Sequence, residues 1–183
     1  MAIKTFTTGE VLTAADTNTY LANSGLVFVK QQTIGSGVSS VTVSDAFSTT
    51  YENYRITVTG IVPSATATTR LMIGSGRTNA HYGVMNYTQS NGGDAGTIKS
   101  NNSQSIEVVL TQVSVNNSQF TCDILSPFLT TRSTIIGTAF GRLYSCYFAG
   151  GDDSSSSYTS FTIEAASGTM TGGTITVHGY RKS

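Results

Sequence analysis

The sequence predicts an all-β protein, an antiparallel β-sandwich of jelly-roll type preceded by a short N-terminal arm and helix. Short runs of β-branched and aromatic residues alternating with polar ones fill most of the chain. Clusters of Gly, Ser, Asn and Asp separate these runs as turns. About ten runs at this spacing suit one two-sheet domain, and 183 residues are enough to bury a core without metal or disulfide cross-links.

The opening stretch FTTGEVLTAADTNTYLANSGLVFV, Phe6 to Val29, carries the helix signal. Thr13 is placed as an N-cap, and Asp16 three residues on makes a capping-box variant whose carboxylate suits the positive end of a helix. Gly25 falls where a C-cap belongs, so the spacing predicts a helix over Ala14–Asn23. Isolated helices below ~12 to 15 residues are marginal in water, so this one needs a partner. Its apolar stripe is Leu12, Ala15, Tyr20 and Leu21. Residues 1–25 are read as this arm and helix, and residues 26–183 as the sandwich.

From Leu26 onward the period is two. LVFVKQQT, VSSVTV, NYRITVTG, TRLMIG, HYGVMNYT, SIEVVLTQV, SQFTCDIL, STIIGTAF, RLYSCYF, YTSFTIEA and GTITVHGY read as strands. In YRITVTG, Tyr54, Ile56 and Val58 face inward while Arg55, Thr57 and Thr59 face out. The same alternation turns Phe161, Ile163, Ile175 and Val177 inward. Two stretches read as long loops, Asn86 to Gln104 and Ala149 to Ser160, and long loops in compact domains tend to carry binding.

Composition narrows the function classes. Only 11% of residues are charged, against about 25% in an average soluble domain. Ten Lys and Arg balance ten Asp and Glu, so no basic field exists to hold nucleic acid or an anionic membrane, and neither is an expected partner. Low net charge instead favours self-association. The start lacks the apolar core of a signal peptide, and no run approaches the ~18 apolar residues of a membrane span. Synthesis in a cytosol is therefore expected, with Cys122 and Cys146 as buried, reduced thiols. The sequons at Asn86, Asn101 and Asn116 then read as Asn-rich loops rather than glycosylation sites.

No catalytic group, cofactor or metal site is expected. The histidines, His81 and His178, read as strand or loop residues without a nucleophile-elbow motif to serve. GSGRTN, from Gly74 to Asn79, has neither the Lys nor the length of a phosphate-binding loop. Asp152 and Asp153, with Asp94 elsewhere, do not have EF-hand spacing. Composition does favour recognition of a surface glycan. Tyr82 and Tyr87 border the Asn- and Gly-rich stretch and Tyr158 closes the serine run, offering apolar faces with hydroxyl tips beside directional Asn and Asp groups. The same tyrosines also fit as packing at loop bases.

The opening phrase resembles the start of many tailed-phage virion proteins, in which a segment close to F-x-x-G-x-x-L-T-A-x-D-x-N-x-Y-L precedes a β-rich domain. Phe6, Gly9, Leu12, Thr13, Ala14, Asp16, Asn18, Tyr20 and Leu21 carry the match. YENYRITVTGIVPSATATTRLMIGS and the closing GTMTGGTITVHGYRKS are similar to strands of sandwich domains in phage tail-fibre and related structural proteins. The resemblance implies a non-enzymatic virion component, most simply a tail-associated short fibre or adaptor contacting the host surface. It implies a homotrimer bound to other virion proteins, with Phe6, Leu12, Tyr20 and Leu21 in attachment or trimerisation. A capsid decoration protein and a free carbohydrate-binding module are the alternatives.

Overall fold

The computed structural model describes residues 5–17, 25–74, 80–89, 95–111, 118–141 and 144–181. A helical turn, α1 (Ala14–Asp16), is followed by β1 (Leu26–Thr33), β2 (Ser40–Val43), β3 (Asn53–Pro63), β4 (Ala67–Ile73), β5 (His81–Gln89), β6 (Gly96–Ser103) and β7 (Ile106–Thr111). Then come β8 (Ser118–Leu125), β9 (Ser133–Gly141), β10 (Tyr144–Asp152), β11 (Phe161–Ala165), β12 (Met170–Thr171) and β13 (Thr174–Tyr180).

These strands form two packed antiparallel sheets. The larger runs β1-β13-β3-β8-β9-β10-β5-β6, with β12 paired on β3, and the smaller runs β2-β11-β4-β7. Set aside the β5–β6 and β9–β10 hairpins and β12, and number the remaining eight strands along the chain. One sheet then reads 1-8-3-6 and the other 2-7-4-5, the order of a jelly roll. The two hairpins extend the larger sheet past β8. The last strand of the small sheet, β7, packs across β10, β5 and β9 and covers the inner side of that extension.

The core lies between the sheets and is filled by the predicted alternation. Tyr54, Ile56, Val58, Phe161, Ile163, Ile175 and Val177 are all fully buried, and full burial of an aliphatic or aromatic side chain contributes roughly 1.5–3 kcal/mol. Phe47, from the loop after β2, packs on Tyr54 at 4.8 Å and on Phe161 at 5.7 Å between ring centroids. The Tyr54 hydroxyl donates to Ser48 O at 3.0 Å and accepts from Ser48 N at 2.8 Å, so its burial leaves no orphan and ties down the β2–β3 loop.

Cys122 and Cys146 are buried on β8 and β10, with β9 between them. Two strand spacings of about 4.8 Å put their Cα atoms beyond the ~7 Å reach of a disulfide. Burial also pushes the Cys122 thiol far up from its ordinary value, which makes it a poor nucleophile.

The structure corrects both long loops. Asn86 to Gln104 is mostly a hairpin, because β5 runs on to Gln89 and β6 begins at Gly96. Ile98 anchors β6 against the core. The polar residues beside it are compatible with a strand because β6 is an edge that buries little. Asn86 and Asn101 therefore sit on strands, and Asn116 lies outside the described residues. The second loop starts later than expected, since β10 continues through Gly150 and Gly151 to Asp152. Of the predicted helix, Ala14–Asp16 is described, with Thr13 accepting from Asp16 N and Asp16 accepting from Thr13 N, each at 3.1 Å. Gly25 has the positive φ, 80°, that a C-cap would use.

Candidate functional site

The alternation that fills the core also builds the open face of the larger sheet. On β10, Cys146 and Phe148 point inward, so Ser145, Tyr147 and Ala149 point out; on β9, Ile135 and Ala139 go in while Ile136, Thr138 and Phe140 go out. Strand register lines the outward residues into rows. One row crosses six adjacent strands as Thr57, Thr121, Thr138, Tyr147, Asn86 and Thr97. Beside it runs Arg55, Asp123, Ile136, Ala149, Val84 and Lys99.

Tyr147 stands out from this face at 66% exposure, with Ile136 at 53% and Phe140 at 46%. On one side of Tyr147 is a hollow of about 410 Å³ reaching Thr57, Gln119 and Phe140. On the other is one of about 470 Å³ reaching Arg55, Asp123 and Asn86. Thr121 and Thr138 belong to both. Thr121 Oγ1 donates to Ile56 O at 3.3 Å and Thr97 Oγ1 to Asn86 Oδ1 at 2.7 Å. Each hydroxyl keeps its acceptor sites and Asn86 keeps its two amide donors, so the row can still bond a ligand.

Arg55 and Asp123, the charged pair beside the second hollow, neutralise each other. Arg55 grips Asp123 with two bonds of 2.8 Å, and Tyr180 Oη donates to the same carboxylate at 2.7 Å. The guanidinium also lies 5.6 Å from the centre of the Tyr180 ring. The Arg55 bond holds the Asp123 carboxyl below its ordinary range, and the Asp123 bond raises Arg55. Burial, then the bond to Asp123, raises the Tyr180 phenol.

A second polar cluster sits at the far end of β10. Asp152, buried, accepts from Ser154 N at 2.7 Å, from the Ser154 hydroxyl, and from Tyr158 Oη at 3.1 Å. His81 Nε2 lies 3.6 Å from Asp152 Oδ2, but that nitrogen accepts the Ile73 backbone N–H at 3.0 Å. The ring is therefore neutral with its proton on Nδ1, and the approach is between two acceptors rather than an ion pair. Ser154 bonds the carboxylate rather than the imidazole, so Ser, His and Asp here do not have the serine–histidine contact of a nucleophilic relay. The cluster joins the start of β5, the end of β10 and the serine loop. Asp153 pairs outward with Arg132 at 2.5 Å.

The structure places the predicted tyrosines apart. Tyr82 and Tyr87 are five residues apart on one strand and so face opposite sides. Tyr82 is 42% exposed on the open face, beside a hollow lined by Arg132 and Asp153. Tyr87 packs inward, edge-on to Tyr144 at 5.7 Å. Tyr158 is partly buried against the core, and its ring fills the space a side chain at Gly74 would need. In the arm, Phe6 is 39% and Leu12 49% exposed, and Val11, not singled out from sequence, is 78% exposed. Tyr20 and Leu21 lie outside the described residues.

Sequence reading missed Tyr147, Phe140 and Ile136. The signal was in the alternation: in RLYSCYF, an inward Cys146 forces Tyr147 outward, and an aromatic on the wet side of a strand is the exception to explain.

No protein-family profile matches the chain, and no curated protein matches it. Among solved structures, a protein of unknown function from Shewanella oneidensis MR-1 aligns over 96% of this chain and 97% of its own, at 9% identity and a TM-score of 0.18. A likeness that low carries nothing for fold or function.

Proposed function

We propose that the chain is a non-enzymatic structural component of a tailed-phage virion. In this reading it is a short tail fibre or adaptor, a homotrimer that residues 1–25 attach to other virion proteins while the jelly roll is displayed outward. The observation that carries the reading is the arm. Residues 5–15 are exposed throughout, yet Val11 and Leu12 within them are apolar and lead into a helix start with a complete capping box. A capped turn with exposed apolar side chains is a segment prepared for a partner, since so short a helix gains little stability alone. The match of Phe6 to Leu21 to the opening of virion proteins gives that partner its class. The chemistry of the buried polar groups favours a non-catalytic role, with His81 Nε2 occupied and Cys122 held protonated.

The test is quantitative mass spectrometry of tailed particles released by cells that encode the chain, scaled to the major capsid protein. A few to a few tens of copies per particle is the expected result. Hundreds of copies would move the protein to the shell as a decoration protein, and absence from particles would overturn a virion role.

A further inference from the structure

We infer that the open face of the larger sheet is a binding site for an uncharged glycan, a neutral polyhydroxylated chain lying across the strands with one sugar ring stacked on Tyr147. A pyranose offers an apolar C–H face and a rim of hydroxyls. The protein surface offers the complement. Tyr147 projects as an exposed aromatic platform with a hollow on each side, and Phe140 and Ile136 add apolar walls to those hollows. The floor is the row of Thr57, Thr121 and Thr138, continued past Tyr147 by Asn86 and Thr97. Their polar tips repeat at the strand spacing, so the row extends about 24 Å over five steps of about 4.8 Å. Such a path is longer than one sugar and suits several in sequence, and the hollows are in the ordinary size range of ligand sites.

Charge selects the class of glycan. Arg55 and Asp123 are the charged groups of the two hollows, and each satisfies the other, with Tyr180 as a third member. Within the hollows, among the described residues, a sulfated, phosphorylated or uronate-rich chain would therefore meet no unspent cation. Lys99, opposite Val84 on β6, stands outside both hollows at the far end of the face, and a single lysine is too little for the phosphates of a nucleic acid. A protein partner is a poorer fit, because binding hot spots are dry pockets that take an aromatic or Arg anchor, whereas this floor is made of hydroxyls. The inference does not depend on the arm or on a virion: the same face would bind wherever the domain is displayed.

The test uses the full chain on an array of linear neutral hexasaccharides of glucose, mannose, galactose and N-acetylglucosamine, with sialylated and uronate chains alongside. Calorimetry on the best responder follows. At least one neutral chain is expected to bind, with little change in affinity between low and high salt. Tyr147→Ala is expected to weaken it by about tenfold, the scale of one lost aromatic stack. Thr138→Val should weaken it less and Thr138→Ser least. Tyr147 is exposed, so its replacement should leave the melting temperature unchanged. Perturbation of Thr57, Thr121 and Asn86 amide signals by the sugar locates the site without any variant. Binding only to acidic chains, no neutral binding at millimolar sugar, or full affinity in Tyr147→Ala would each overturn the inference. So would self-association that Tyr147→Ala abolishes in a protein that takes no sugar, because the face would then belong to a second copy.

Discussion

Gly137 sits on the inward side of β9, where a Cβ would collide with the Phe148 ring and lie 2.5 Å from the Thr121 carbonyl and 2.7 Å from Cys122 Cβ. The carbonyl belongs to the neighbouring strand and cannot rotate away. Gly137→Ala should therefore lower stability by about 1–3 kcal/mol, the usual cost of overpacking a core, read as a fall in the urea midpoint. An unchanged midpoint would mean that β8 and β10 are looser than described. At Asp123 the expected effect depends on pH. A carboxyl whose folded pKa lies below its unfolded value adds stability that is complete above the unfolded value, ~3.9, and is lost as pH falls through the folded one. With the Asp123 carboxyl lowered, this contribution should start to decline as pH falls below about 4 and vanish only below the folded value, and Asp123→Asn should flatten the acid limb of stability there. The effect is small because the side chain is 31% exposed. An acid limb of the same steepness in the variant would remove Asp123 from the account of acid stability.

At the scale of elements, strands with one wet and one dry face were legible in the sequence. LVFVKQQT is β1 residue for residue, and the inward residues of β13 and of β3 up to Val58 follow the alternation. By contrast, β3 shifts register between Val58 and Ile61, and β11 is buried on both faces, with Thr162 and Glu164 covered as well as Phe161 and Ile163. β6 was hidden because GTIKSNNS has one strong apolar residue, Ile98, and its pairing is set by β5 rather than by its own composition. The open face of the larger sheet, where we place the glycan, was hidden for a related reason. Tyr147 and Thr121 are neighbours only through the pairing of β8, β9 and β10, which local sequence does not specify. Being a partly buried edge, β6 should also be the weaker element. In hydrogen–deuterium exchange, peptides covering 96–103 are expected to exchange well before those covering 53–63 and 118–125, in the sheet interior. Equal protection would indicate that the β6 edge is covered, for example by another copy.

For the whole molecule, the proposed division of labour is between a sandwich that folds by itself and an arm that docks on a partner. The core closes from Leu26 onward, with the aromatic contacts of Phe47, Tyr54 and Phe161 all inside it. The exposure of residues 5–15 means that their removal uncovers little of that core. Low charge, 11% of residues, and the edges β1 and β6 on one sheet and β2 and β7 on the other leave the domain able to associate once an arm brings copies together. The most direct measurement is the solution mass, by light scattering, of the full chain and of residues 25–183, each paired with a thermal melt. A trimer for the full chain is expected, with a monomer of nearly the same melting temperature for the shortened one. A monomeric full chain, or a trimer that survives loss of the arm, would contradict the role given to residues 1–25.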